Sequence, residues 1–99
     1  MQRSSTTFTA LVSRLGCNSG VTGEVLAPRI EPRRSEVVVT FSVAAKPPGE
    51  VASCQGNDQV PYEVDLGEPL NGRPLVDGQC RGPAAGTSFC EPDATRFTF

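Results

Sequence analysis

Alternation between apolar and polar positions is the main signal along this chain. It is strongest over residues 36–45, where one face of an extended chain carries Val37, Val39, Phe41 and Val43. The opposite face of this segment is mixed, which predicts a central strand with one face partly solvated. Because the apolar face is uniform, Val39 and Phe41 are predicted to be buried in the core.

The remaining strand signals are shorter and are separated by turn-forming residues. Residues 6–15 begin with β-branched and aromatic side chains, and their alternation places Phe8, Ala10 and Val12 on one face. The same alternation marks residues 60–66. Three weaker segments are predicted to be strands over residues 21–30, 73–76 and 96–99.

Helix signals are nearly absent. Nine prolines and ten glycines interrupt the chain, and no window of about 11 residues keeps apolar residues at the spacing of one helix face. Short strands punctuated by turns predict an all-β fold, a small antiparallel β-sandwich or partly open barrel of six to seven short strands. The 99 residues are predicted to form a single domain, residues 1–99, with a disordered start over residues 1–5.

Four cysteines add a covalent framework to this picture. Cys17, Cys54, Cys80 and Cys90 are separated by 36, 25 and 9 residues. Structural zinc sites need closely spaced cysteine pairs, often completed by histidine, and this sequence has no such pair and no histidine. The cysteines therefore predict two disulfides and an oxidising compartment, with three pairings open.

Charge and hydropathy argue against nucleic acid and membrane partners. The net charge is −2, with nine Lys and Arg against eleven Asp and Glu, which is not the charge of a nucleic-acid-binding domain. No apolar run approaches the length of about 18 residues that a transmembrane segment needs. Residues 1–16 also lack the apolar centre of a signal peptide, so Met1 is interpreted as a start codon added to a mature domain after signal-peptide removal.

Catalysis is not expected from this composition. Without histidine there is no Ser-His-Asp triad and no Cys-His pair. Glu63, Asp65 and Glu68 could supply paired carboxylates for glycoside hydrolysis, but a sugar-binding cleft is normally lined with aromatic residues and the chain has no tryptophan. Asp58, Glu68 and Asp77 could bind calcium, but they lack the spacing of a calcium-binding loop. We therefore predict no catalytic residue, no metal site and no cofactor.

Four stretches between Cys17 and Gly78 carry a resemblance to known proteins. They read GCNSG, EVVVTFSV, PPGEVASCQGN and VPYEVDLGEPLNGRPLVDG. This order of motifs resembles a set of uncharacterised secreted or lipid-anchored actinobacterial small β-domain proteins, over about 60 of the 99 residues. The resemblance implies a location and an architecture, and it carries no function.

The resemblance also implies a disulfide pairing. Members that carry only the first two of these cysteines imply Cys17–Cys54, which leaves Cys80–Cys90. Local sequence agrees, because Cys17 precedes and Cys54 follows a predicted hairpin with a polar turn over residues 31–35. Two other pairings remain open: Cys17–Cys90 with Cys54–Cys80, and Cys17–Cys80 with Cys54–Cys90.

The turn of this hairpin is the clearest candidate contact surface. Arg29, Arg33 and Arg34 form a small basic patch there, and guanidinium groups bind acidic partners or phosphate. A solvated turn that protects a sheet edge explains these arginines equally well. The loops over residues 46–50 and 55–59 are further candidate contacts, since loops on a rigid scaffold often carry recognition.

Together these features predict a non-catalytic extracellular or cell-envelope accessory domain that interacts with a protein or envelope partner. The chain is expected to be secreted, with possible lipid anchoring through an N-terminal segment missing from this sequence. The alternative is a secreted enzyme inhibitor that presents a rigid loop, for which a Cys80–Cys90 disulfide would supply the stiffening.

Overall fold

Six short strands and two 3-10 helices make up the regular structure of the protein in a computed structural model, which describes residues 4–45, 52–91 and 93–97. The strands are β1 (Thr7–Val12), β2 (Arg29–Pro32), β3 (Val37–Thr40), β4 (Val60–Asp65), β5 (Leu75–Asp77) and β6 (Thr95–Phe97). The 3-10 helices are Gly78–Arg81 and Ser88–Cys90. The prediction of a mostly β protein is confirmed.

The strands form two sheets. In the first, β1 and β4 pair in antiparallel fashion, and in the second the strand order is β2-β3-β5-β6. The pairing of β3 with β5 is parallel, so the second sheet is mixed and the expectation of a purely antiparallel arrangement is wrong at this point. After β3 the chain leaves this sheet to form β4 beside β1. It then re-enters the sheet at the end where β3 begins, so β5 runs in the same direction as β3.

Strand β3 lies in the middle of the four-stranded sheet, and its first three residues, Val37, Val38 and Val39, are all buried, which confirms the prediction for Val39. On the opposite face Val38 is buried, Thr40 is half-buried and Ser42 is exposed, so this face is partly solvated, as predicted. The first 3-10 helix packs on this face, since Gly78 lies against Thr40 and a Cβ on it would approach Val38 Cγ1 to 3.1 Å. A glycine is needed there because any side chain would collide with β3.

The predicted strand over residues 36–45 is shorter in the structure. Phe41 lies beyond the end of β3 and is only half-buried, so its predicted full burial is wrong. Its ring meets that of Tyr62 edge-on, at 5.4 Å between centroids and 76° between planes. Val43 makes only an isolated antiparallel bridge, to Val25. The predicted strand over residues 21–30 is likewise reduced to this bridge and the first two residues of β2.

The hydrophobic core forms where residues of both sheets meet. On β1 the predicted alternation is confirmed, because Phe8, Ala10 and Val12 are more buried than their neighbours. The buried cluster comprises Val37, Val39, Val64, Leu66, Leu70 and Leu75. Leu70 is completely buried, immediately before a tight turn in which Asn71 and Gly72 both adopt positive φ, as the Asn-Gly pair favours.

Both predicted disulfides are present. Cys17 bonds to Cys54 and Cys80 to Cys90, and no free cysteine is found in the described part of the chain. Two disulfides in so small a chain are typical of an oxidising environment. No helix within residues 4–45, 52–91 and 93–97 is long and apolar enough to cross a membrane.

Some predictions fall on residues outside the described ranges. The loop over residues 46–50 lies there, as do residues 1–3 of the predicted disordered start and the last two residues of the predicted strand 96–99. Residues 4–5 are described and precede β1.

Candidate contact surface

The hairpin of β2 and β3 places Arg33 and Arg34 at its turn, whereas Arg29 begins β2 opposite Thr40, at the far end of the strand pair. Arg33 N–H donates to Glu36 O at 2.8 Å, which closes a loop containing Arg34 and Ser35. Arg29 Nε lies 3.5 Å from one oxygen of Glu31, and Arg33 Nη2 lies 3.3 Å from the other. The turn is thus short, charged and internally paired.

Glu36 is the centre of the ion pairs around this turn. Its carboxylate accepts two hydrogen bonds from Arg81, from Nη1 at 2.5 Å and from Nη2 at 3.0 Å, and a third from Arg33 Nη1 at 3.2 Å. The hydrogen bond from Arg81 is the largest cause that lowers the pKa of Glu36, and the same bond raises the pKa of Arg81. This pair ties the first 3-10 helix to the start of β3.

Arg73 adds a fourth guanidinium, held mainly by backbone carbonyls. It donates from Nη1 to Arg33 O at 3.0 Å, from Nη2 to Pro69 O at 3.0 Å and from Nε to Leu70 O at 2.8 Å. Its Nη2 also lies 3.4 Å from Glu68 Oε1. Asp77 pairs instead with Arg96.

We call Arg29, Arg33, Arg34, Arg73 and Arg81 the arginine surface; all but Arg34 are linked through shared glutamates or the Arg33 carbonyl, and Arg34 follows Arg33 in the turn. The arginine surface contains five of the nine basic residues of the chain. Three glutamates, Glu31, Glu36 and Glu68, pair with these five arginines, so the group has a net charge of +2, whereas the whole chain has a net charge of −2. Arg81 was not predicted as part of this surface, because it lies 45 residues from Glu36 and no local pattern links the two.

The members of the arginine surface differ in how free they are. The side chain of Arg29 is 78% exposed and that of Arg33 is 53% exposed. Arg34 is exposed and takes part in none of the salt bridges found within the described residues. Arg29, Arg33 and Arg34 are therefore available for contact. Arg81 pairs with Glu36 but its side chain is still 48% exposed, whereas Arg73, at 17%, serves the scaffold.

The second predicted loop, residues 55–59, has a structural role in this fold. Asn57 Nδ2 donates to Arg14 O at 2.9 Å, and Asp58 Oδ1 accepts from the Thr22 N–H at 2.7 Å. Thr22 is completely buried; its hydroxyl donates to Asp58 O and accepts from Arg14 N–H. We call Arg14, Thr22, Asn57 and Asp58 the polar cluster, and it lies beside the Cys17–Cys54 disulfide in sequence.

The carboxylates weighed for metal binding lie at separate places with separate partners. Asp58 belongs to the polar cluster, Glu68 pairs with Arg73, and Asp77 caps the first 3-10 helix while pairing with Arg96. Within the described ranges no group of three or more potential metal-ligating side chains is found.

Comparison with known proteins adds no relative to this picture. No protein-family model, no curated protein and no solved structure matches the chain.

Proposed function

We propose that the protein is a non-catalytic extracellular interaction domain whose arginine surface binds carboxylate groups of an acidic protein partner. The observation that carries this proposal is the row of exposed guanidinium groups on a rigid hairpin, with a local charge opposite in sign to that of the chain. Guanidinium groups match carboxylates in shape and charge. The Arg81–Glu36 pair already forms this two-bond contact within the protein.

Rigidity of the hairpin supports the same proposal. Glu31 contacts Arg29 and Arg33, and Glu36 contacts Arg33 and Arg81, so three of the five guanidinium groups are positioned before any partner arrives. A surface ordered in advance loses less entropy on binding. The loop at residues 55–59 is committed to the polar cluster, which leaves the hairpin as the better candidate of the two.

The setting of this function follows the same reasoning. Two disulfides support an extracellular or cell-envelope location, and the resemblance to secreted or lipid-anchored actinobacterial proteins agrees with it. We take the two sheets to form a small β-sandwich, which is supported by the contribution of both sheets to one buried cluster. The lack of histidine supports a role without catalysis.

Titration calorimetry with poly-L-glutamate tests the proposal. We expect binding that weakens as salt is raised, and a loss of about tenfold in affinity in Arg29→Gln/Arg34→Gln, since two charge-assisted contacts disappear. Poly-L-lysine is the matched probe of opposite charge. Arg29→Lys/Arg34→Lys keeps the charge and loses the two-bond geometry, so it should bind with intermediate affinity. Equal binding of both polymers, or no loss in the Gln variant, would contradict the proposal.

One observation favours the inhibitor as a second candidate. Phe89 is 46% exposed on the loop that the Cys80–Cys90 disulfide closes, and its carbonyl accepts a hydrogen bond from Arg96 Nη2 at 2.5 Å. An aromatic side chain on a fixed loop suits insertion into an enzyme cleft. Stoichiometric inhibition of a secreted hydrolase that is lost in Phe89→Ala and kept in Arg29→Gln/Arg34→Gln would favour this function over the first.

A further inference from the structure

We infer that the free edge of β1 binds an extended, uncharged segment of a partner protein as an added β-strand. This surface is separate from the arginine surface and involves the first sheet. Four observations support it: the hydrogen-bonding register of β1, its unprotected sequence, the groove beside it and the charges in that groove.

The register of the β1–β4 pair shows which backbone groups face outward. Directly opposed residues of an antiparallel pair alternate between hydrogen-bonded and non-hydrogen-bonded. Leu66 N–H donates to Thr6 O at 2.7 Å, so the pair just before Thr7–Asp65 is of the hydrogen-bonded kind. Along β1 the backbone groups of alternate residues therefore bond to β4, and those of Thr7, Thr9 and Leu11 face the free edge.

A proline checks this register independently. Pro61 is opposite Leu11, at a position where the register requires no N–H toward β1. Proline has no N–H, and in sheets it is found where that group would point away from the ladder. The position of Pro61 therefore agrees with a register in which the backbone groups of Leu11 and Pro61 both point away from the β1–β4 pair.

The free edge of β1 differs from the edges of β2 and β4 in having no protection. Sheet edges are commonly protected by proline and charged residues. The edge of β4 carries Pro61, Glu63 and Asp65, and the edge of β2 carries charged residues and Pro32. Strand β1 reads TFTALV, six residues with no charge and no proline. Among residues 4–45, 52–91 and 93–97 no further strand pairs with this edge, so its outward-facing backbone groups are open to pairing.

A groove runs along this edge and limits what can enter. It has a volume of about 760 Å³ between β1 and residues such as Phe41, Phe89 and Phe97, and it continues into a second groove of about 440 Å³ beside Arg14 and Leu15. The exposed large apolar side chains that line the two grooves are Leu11 (62%), Leu15 (47%) and Phe89 (46%). An occupant is therefore expected to carry apolar side chains at alternate positions.

Charges in the groove point to an uncharged occupant. Asp77 and Arg96 pair with each other at 2.9 Å. The guanidinium of Arg14 donates to Thr22 O at 2.9 Å and to Ala44 O at 2.5 Å. Asp77 and Arg96, the charged side chains that line the larger groove, neutralise each other, so a charged occupant would find no unpaired charge along β1.

Amide hydrogen exchange measured by NMR tests the inference with the hexapeptide acetyl-VTVTVT-amide as the probe. At saturating peptide we expect exchange at Thr7, Thr9 and Leu11 to slow by about tenfold or more, because each gains a protected position in a ladder. Exchange at Phe8 and Ala10 should not change, since their N–H groups already bond to β4. Slowing at all five residues alike, or at none, would overturn the inference.

A matched pair of variants sharpens the test. Thr9 and Glu63 are directly opposite, and the backbone N–H of each faces outward on its own edge. Thr9→Pro should abolish peptide binding, whereas Glu63→Pro, with the same chemical change on the other edge, should leave it intact.

A peptide with N-methyl groups on alternate residues keeps the measurement informative if Thr9→Pro fails to fold. Methylation of the residues that donate to β1 should abolish binding to the wild-type protein. Unchanged binding of the methylated peptide would overturn the inference. The inference also fails if exchange at Thr9 slows with protein concentration alone, because the occupant would then be a second copy.

Discussion

The polar cluster beside Cys17–Cys54 and the centre of the four-stranded sheet are stabilised in different ways. The polar cluster is a set of hydrogen bonds between side chains and backbone groups that are distant in sequence, around the single buried residue Thr22. The sheet centre is almost wholly apolar, with Val37, Val38 and Val39 buried on both faces. The difference indicates that the sheet holds itself by burial, whereas the cluster depends on being held close by the disulfide.

The largest expected effect comes from removing that disulfide. Cys17→Ala/Cys54→Ala should lower the free energy of unfolding by about 4 kcal/mol, and Cys80→Ala/Cys90→Ala by about 3 kcal/mol, because their sequence separations are 37 and 10 residues. Urea unfolding of both variants measures the difference. If the second variant loses more stability, the first disulfide is not the main constraint on the polar cluster.

Truncation of the core tests the other half of the comparison. Leu70→Ala should cost about 3 kcal/mol, since the side chain is completely buried and leaves a cavity. Leu15→Ala is the matched control, because Leu15 is 47% exposed and its loss should change stability by about 0.5 kcal/mol or less. Thermal or urea unfolding is the measurement, and similar losses in both variants would contradict the assignment of the core.

A smaller effect is expected within the polar cluster itself. Thr22→Val keeps the shape of the side chain and removes its hydroxyl, which leaves Asp58 O and Arg14 N–H each without one bond. The expected cost is about 2 kcal/mol, as for a buried polar group without its partner. Thr7→Val makes the same change at an exposed position. No loss relative to that control would mean that the hydrogen bonds contribute little.

The smallest effect concerns pH and the arginine surface. Because the pKa of Glu36 is lowered in the folded protein, its pairing with Arg81 stabilises the fold above the unfolded pKa, and this contribution is lost as pH falls through the folded pKa. Between about pH 7 and about pH 3, wild-type stability should therefore fall further than that of Glu36→Gln. Glu63→Gln, at an exposed position on β4, is the control. Equal slopes in wild type and Glu36→Gln would contradict the pairing.

The parts of the fold that sequence predicted are those set by local pattern. Alternation identified β1, β3 and β4, and the polar residues after Glu31 identified the hairpin turn. The asparagine and glycine after Leu70 form the tight turn that this pair of residues favours.

The parts that sequence missed depend on contacts between distant residues. The first 3-10 helix packs on β3 through Gly78, beside Val38 and Thr40, and the parallel pairing with β5 follows from the path of a long connection. Of the contact surface, the hairpin arginines were predicted from their clustering. The Arg81–Glu36 pair and the unprotected edge of β1 emerged only when distant segments and strand partners were known.

The pairing of the strands has a consequence for how the chain reaches its fold. Among the described strands only β2 and β3 are joined by a short turn and also pair with each other; every other pair joins segments that are distant in sequence. Distant pairings form slowly because a long loop must close first. We therefore expect the hairpin to be the earliest structure during folding, and its formation brings Cys17 and Cys54 toward each other before oxidation fixes them.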